Sequence, residues 1–140
     1  MSDSILQAGD VSPQRLKAIF DAAYVHSEID AQGDLCLLDK LRVIVKPLTG
    51  IVWLGTYFRC ADSATPEDRL RFTNRVNSRL VFVRAWVHEN GVAAFDAAVP
   101  MEGGISEKSL VLATRFFMDQ VVLAVQQLDT EKTLVVKHAD

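Results

Sequence analysis

The chain of 140 residues is poor in cysteine, with only Cys36 and Cys60. Both lie in apolar runs typical of strands, so we expect buried, reduced thiols instead of a disulfide framework. The N-terminal segment MSDSILQAGD lacks the basic region and long apolar run of a secretory signal. These two absences predict a cytoplasmic protein.

The sequence also lacks the residue clusters that carry chemistry. His26, His88 and His138 are far apart and have no second ligand at metal spacing beside them. There is no nucleophile elbow, phosphate-binding loop or dinucleotide-binding glycine motif, and Gly103-Gly104 alone indicates an ordinary loop. We therefore expect no enzyme activity, no catalytic residue, no metal and no cofactor.

Neither a strong charge nor an uninterrupted apolar segment is present. The net charge of −3 gives no general attraction to nucleic acid or anionic lipid. The most apolar window, Leu110–Leu128, is interrupted by Arg115 and Asp119, which argues against a membrane span. An apolar content of 49% predicts one globular domain over residues 1–140, with 1–10 as a frayed lead and 130–140 as a tail that docks or stays loose.

The first half predicts one helix and three strands. Ser12 and Pro13 are typical of a helix start, and that helix should end near Tyr24 or Val25. Strands are predicted at 35–39, 42–48 and 51–60. A turn at Thr49-Gly50 would place Val45 opposite Leu54.

The second half predicts a helix, a hairpin and a final helix. Thr65-Pro66 starts a helix that runs to about Ser78. Asn90-Gly91 then predicts a two-residue turn that pairs Trp86 with Phe95. We expect one hairpin face to pack on the helices (Phe82, Trp86 and Phe95). The opposite face should meet a partner or a second copy (Val83, Val87, Ala94 and Ala98).

Ser106 should cap the last helix, which is apolar on two sides. One side has the spacing of a core stripe, and Leu112, Phe116 and Leu123 form a second apolar stripe that either this chain or a second copy covers. The predicted fold is α+β, in the order α-β-β-β-α-β-β-α, with an antiparallel sheet and helices mainly on one face.

Two further surfaces have alternative interpretations. Trp53 and Tyr57, opposite Lys46 and Arg42, could form a peptide-binding face or simple cross-strand packing. The basic stripe (Arg71, Arg75 and Arg79) could contact phosphates or an acidic peptide, or it could be a solvated or ion-paired helix face. The acidic net charge argues against nucleic acid as a partner.

The run from Phe72 to Leu128 resembles the YbjN-domain family. The matching segments are FTNRVNSRLVFVRAW with Asn74 and Asn77, the ENG turn, FDAAVPMEGGIS and the long apolar helix. The resemblance implies a fold similar to class I type III secretion chaperones, which are small, acidic, often homodimeric proteins that bind extended partner segments. The family is labelled as a bacterial sensory transduction regulator, and the resemblance supplies no catalytic residue.

These observations predict a non-enzymatic protein-interaction module, chaperone-like or regulatory, that acts as a homodimer on a protein partner. One alternative is a dedicated type III secretion chaperone for a single effector. Another is a nucleic-acid-associated regulator that uses the basic stripe.

Overall fold

The computed structural model describes residues 4–136, so Lys137 and His138 lie outside the described residues. It confirms the α+β class and adds three short strands to the predicted order. The helices are α1 (Pro13–Ala22), α2 (Pro66–Arg79) and α3 (Glu107–Leu123). The strands are β1 (Ile5–Leu6), β2 (Ser27–Ile29), β3 (Leu35–Leu38), β4 (Arg42–Leu48), β5 (Ile51–Arg59), β6 (Arg84–Val87), β7 (Val92–Pro100) and β8 (Ile105–Ser106).

Six strands form one antiparallel sheet in the order β2-β3-β4-β5-β7-β6, and β1 pairs with β8 in a separate two-stranded sheet. The chain divides into two compact units. One unit comprises the segments up to Gly55 and Ala97–Met118, and the other comprises Thr56–Asp96 and the segment from Asp119 onward.

The first unit is built on α1 and strands β2 to β4. Ser12 caps α1 by accepting a hydrogen bond from the Arg15 amide at 3.1 Å, as predicted, with Pro13 at the first helical position. The predicted pair Val45–Leu54 is confirmed, and both side chains are fully buried. Leu16 and Phe20, also fully buried, supply the apolar face of α1.

Strand β2 was not predicted because its sequence is short and mixed in polarity. It forms a hairpin with β3 through a turn that Asp30 organises. The Asp30 carboxylate accepts hydrogen bonds from the amides of Gln32 and Asp34, both at 2.9 Å, and Gly33 has a φ of 85°. An Asx turn of this kind lacks the dipeptide signature of a tight hairpin.

The prediction of a frayed lead is wrong for residues 4–10. Ile5 pairs with Ser106, Leu6 is 2% exposed, and the Glu107 amide donates to the carbonyl of Ser4 at 2.9 Å. Burial of Leu6 provides the stabilisation that a wholly polar segment would lack.

The second unit contains α2 and the β6–β7 hairpin. Thr65 and Asp68 form the predicted capping box at the start of α2. Phe72 on the buried side of this helix packs edge-on against Phe95 of β7, with ring centroids 6.0 Å apart.

The predicted register of this hairpin is wrong by one residue. Trp86 pairs with Ala94, and Phe95 pairs with Ala85. The His88 amide donates to Val92, and the Gly91 amide donates back to His88, so Glu89–Gly91 is a three-residue loop with Gly91 at φ 79°. A one-residue slip moves side chains to the opposite face relative to the partner strand.

The two predicted hairpin faces are therefore wrong in part: Phe95 packs on α2 as predicted, but Trp86 does not share its face. Phe95 is fully buried beside α2. Trp86 points to the opposite face of the sheet from its neighbour Ala85 and is only half-buried. Val83, which we expected on the open face, is 4% exposed.

Of the two alternatives for the tail, docking is observed in residues 130–136. Leu134 forms an antiparallel bridge with Cys60, and the Ala61 amide donates to the Thr133 carbonyl at 2.7 Å. The Asp129 carboxylate accepts the amides of Thr133 and Leu134, which fixes the turn into this segment.

Helix α3 continues as a π-helical turn over Ala124–Leu128. The combined helix of 22 residues, with a mean hydropathy of 1.3, is long and apolar enough to cross a membrane. Its Leu110, Phe117 and Val121 side chains are fully buried. Of its most apolar 18-residue window, 39% is buried, so packing inside the protein accounts for one side of this helix only.

Candidate protein-interaction site

The second apolar stripe lies on the outer side of α3. Leu112 and Phe116, one turn apart, are each 49% exposed, whereas Leu110 and Phe117 are fully buried. Leu123, the third member, is half-buried. Leu112 and Phe116 thus place large apolar surface in solvent on a helix whose opposite side already serves the core.

Tyr24, at the end of α1, has the most unusual conformation near this surface. Tyr24 has a φ of 60° and is 97% exposed to solvent. The Tyr24 amide donates to Asp21 and the Val25 amide donates to Phe20, which is the pattern of a Schellman motif. Glycine is favoured at this left-handed position because a Cβ is strained there by about 1 kcal/mol.

Arg115 joins the end of α1 to α3. Its Nη2 atom donates to the carbonyl oxygen of Ala23 at 3.0 Å, directly before Tyr24. Arg115 follows Leu112 by three residues and Phe116 follows it by four, so both lie beside Leu112 on the outer side of the helix. We refer to Tyr24, Leu112 and Phe116 as the α1–α3 patch.

The sequence alone does not single out Tyr24, because a tyrosine after a helix carries no local signal of a left-handed backbone. The nearest usable signal is the absence of any glycine between Pro13 and Gly33. A helix end in that interval forces a residue other than glycine into the capping position.

Trp53 lies on the outer side of the sheet in the first unit, opposite Lys46 of the neighbouring strand. Lys46 pairs with Trp53 in register, as predicted, but its Nζ atom lies 3.3 Å from the Asp34 carboxylate. The Trp53 ring lies across Gly55, where a Cβ would overlap the indole. This arrangement favours cross-strand packing over an open peptide-binding face.

Arg42 is the first residue of β4, and its side chain contacts Cys36 of β3. Its Nη2 atom is 3.3 Å from Sγ of Cys36 and 3.9 Å from the Asp30 carboxylate. The hydrogen bond with Cys36 raises the pKa of Arg42 above its ordinary value. Cys36 itself is fully buried, as we predicted for both thiols.

Tyr57, in the second unit, is 45% exposed and lies beside His88, with ring centroids 6.1 Å apart. His88 in turn contacts the Trp86 ring edge-on at 5.5 Å, and Arg84 stacks over Trp86 at 4.9 Å. Arg84 also forms two hydrogen bonds with the buried Asp96 carboxylate. Tyr57 therefore belongs to an aromatic row on the β6 side.

Two members of the basic stripe form ion pairs within the protein. Arg75 forms a bidentate pair with Glu131 at 2.8 and 2.6 Å and donates to the Leu128 carbonyl at 2.7 Å. This hydrogen bonding lowers the pKa of Glu131 to about 2. Arg71 lies near Glu67 and Asp68 at 3.7 and 3.8 Å, while Arg79 is exposed.

The edge of the sheet at β6 lies along α2. Asn77, one of the two asparagines in the resemblance, accepts the Ala85 amide at 2.8 Å and donates to the Ala85 carbonyl at 3.0 Å. Val87 and Trp86 line a groove against Pro66 and Leu70 of the helix. Val87 is therefore part of this groove instead of an open hairpin face.

Residues 4–136 contain no group of three His, Cys, Asp or Glu side chains close enough to hold a metal ion. Burial raises the pKa of the Cys60 thiol, which lies 3% exposed under Leu134. A raised pKa lowers the thiolate fraction and hence the reactivity of this cysteine.

The architecture thus defines a small α+β protein whose most distinctive exposed features are apolar and aromatic side chains. The family model of YbjN, with the description "Putative bacterial sensory transduction regulator", matches residues 12–130. The chain belongs to the YbjN family, which confirms the resemblance noted above.

A solved relative supports the fold. The crystal structure of YbjN, described as "a putative transcription regulator from E. coli", superimposes with a TM-score of 0.78 over 95% of this chain and 100% of that chain. The sequence identity is 11%, so this likeness concerns the fold alone. No curated protein matches the chain.

Proposed function

We propose that this YbjN-family protein is a cytoplasmic, non-enzymatic interaction module that pairs with a second copy through the α1–α3 patch and regulates a protein partner. The observation that carries this proposal is Tyr24, a large aromatic side chain held in solvent at a backbone position that favours glycine. The helix cap explains the left-handed backbone but does not require an aromatic side chain, so the exposed ring supports a role in binding.

A second copy is the partner of the patch that we favour. The exposed side chains of Leu112, Phe116 and Tyr24 carry no charge, and two-fold pairing buries the same patch from both chains at once. Aromatic anchors contribute most of the binding energy in such interfaces. The family description as a regulator agrees with a role in binding instead of catalysis.

The two alternatives have less support. A nucleic-acid-associated regulator would use the basic stripe, yet Arg75 is bound to Glu131 and Arg71 lies beside two carboxylates. A dedicated secretion chaperone for one effector is a narrower form of the interaction module. It predicts co-purification with an unfolded N-terminal effector segment.

Light scattering behind gel filtration tests the pairing at micromolar protein concentration. We expect twice the 15.5 kDa mass of one chain for the wild type and a single-chain mass for Phe116→Glu. Val81→Glu is the matched control, because Val81 is fully exposed outside the patch. A wild type that elutes as a single chain would overturn the pairing.

A further inference from the structure

Strand β6 is the last strand of the six-stranded sheet, so its outer edge is not paired with another strand of that sheet. In an antiparallel strand, alternate residues direct their backbone groups to opposite edges. The bonds from Asn77 show that the N–H and C=O of Ala85 point outward. The backbone groups of Val87, two residues further on, therefore point outward as well.

The groove beside Val87 has a volume of about 460 Å³. Its walls are the side of α2 that carries Pro66, Leu70 and Thr73, and the strand residues Ala85, Trp86 and Val87. Leu70 is 62% exposed and provides an apolar contact surface. An extended segment that pairs with Val87 would lie along this wall.

Arg69 places a guanidinium beside this groove, and one of its donors is unsatisfied among the described residues. Its Nε atom is buried and, among residues 4–136, has no hydrogen-bond partner. The guanidinium lies beside the hairpin loop, with Nη2 3.9 Å from the position of a Cβ built on Gly91. Because Arg69 also lines the groove, its positive guanidinium offers a charge-assisted hydrogen bond to a carboxylate that a ligand supplies.

We propose that this groove, the α2–β6 groove, binds an extended acidic peptide segment of a protein partner. The segment adds as a short strand at the outward N–H and C=O of Val87, packs apolar side chains on Leu70, and places an Asp or Glu carboxylate on Arg69. This assignment rests on the proposed function as an interaction module, and it locates the partner on a surface other than the α1–α3 patch.

Asn77 defines one end of the site. Its side-chain amide makes the two hydrogen bonds to Ala85 that a neighbouring strand would make. An incoming segment is thereby excluded from Ala85 and can pair only further along β6, at Val87. The register of the bound segment follows from this block.

The test begins with a phage-displayed library of random dodecapeptides, selected on wild-type protein and depleted on a Leu70→Glu variant. The affinity of the enriched peptides is then measured by fluorescence anisotropy. We expect acidic sequences with β-branched residues, whose Kd rises by about 10-fold to 100-fold for Arg69→Gln, since one charge-assisted hydrogen bond is lost.

Arg71→Gln is the matched control, because Arg71 lies on the same helix outside the groove and should leave the Kd unchanged. Val87→Pro removes an outward N–H together with the valine side chain in the groove wall, and it should weaken binding, with circular dichroism to check the fold. Phe116→Glu should bind the peptides normally, which separates this site from the pairing. No enrichment, or peptides that bind Arg69→Gln as tightly as wild type, would overturn the proposal.

Discussion

The ion pair between Arg75 and Glu131 should stabilise the docked tail in a strongly pH-dependent way. The pKa of Glu131 falls from an ordinary 4.5 to about 2 because Arg75 donates two hydrogen bonds to its carboxylate. A depressed carboxylate pKa contributes stability that is fully present above the unfolded value and is lost as the pH falls from about 5 to about 2.

The size of the effect follows from this shift. The full shift corresponds to about 3 kcal/mol, and solvent screening at the partly exposed pair reduces the expected loss to about 1–2 kcal/mol. Urea unfolding of Glu131→Gln at pH 7 should show this loss of unfolding free energy. Amide exchange at Thr133 and Leu134 should also quicken, because their amides donate to Asp129 in the same turn that Arg75 anchors through Glu131.

Glu67→Gln provides the control, since Glu67 is 79% exposed at its side chain and lies 3.7 Å from Arg71. That variant should change stability by less than about 0.5 kcal/mol. The difference between wild type and Glu131→Gln should shrink when unfolding is repeated at pH 3. Equal stability of the two proteins at pH 7, or a difference that does not depend on pH, would refute the reasoning.

Two further predictions concern Asn77 and Gly55. Asn77→Ala should lower the free energy of unfolding by about 1–3 kcal/mol, because two backbone groups of Ala85 lose their partners. In the same urea titration, the control Asn74→Ala should be nearly neutral. Gly55→Ala should destabilise by about 1–3 kcal/mol and shift the emission of Trp53, measured in a Trp86→Phe background, because the new Cβ overlaps the indole. An unchanged spectrum would show that the ring does not lie across Gly55.

Local signals predicted much of the fold. Capping residues placed the starts of α1 and α2, and the Thr49-Gly50 turn gave the register of β4 with β5, because each depends on a few adjacent residues.

The β6–β7 register failed for an equally local reason. The segment His88–Val92 is compatible with a two-residue turn or with a three-residue loop that ends in a left-handed glycine. Both faces of the hairpin are apolar, so the alternation of polarity could not distinguish the register of the two-residue turn from that of the three-residue loop.

The candidate sites depend on contacts between distant parts of the sequence. The second apolar stripe could be found by helical periodicity, and Leu112 and Phe116 are indeed half-exposed. The role of Arg75 could not be found, because its partner Glu131 is 56 residues away. Neither the exposure of Tyr24 nor the burial of Arg69 Nε follows from neighbouring residues.

The most direct test of pairing through the α1–α3 patch is the dimer dissociation constant of Tyr24→Gly, measured by sedimentation equilibrium beside the wild type. Glycine relieves the left-handed strain, so the monomer should gain about 1 kcal/mol in unfolding free energy. We predict that the dissociation constant nevertheless rises about tenfold or more, since an aromatic anchor is lost. A wild type without measurable dimer, or a variant that dimerises as tightly as the wild type, would contradict the proposed role of Tyr24.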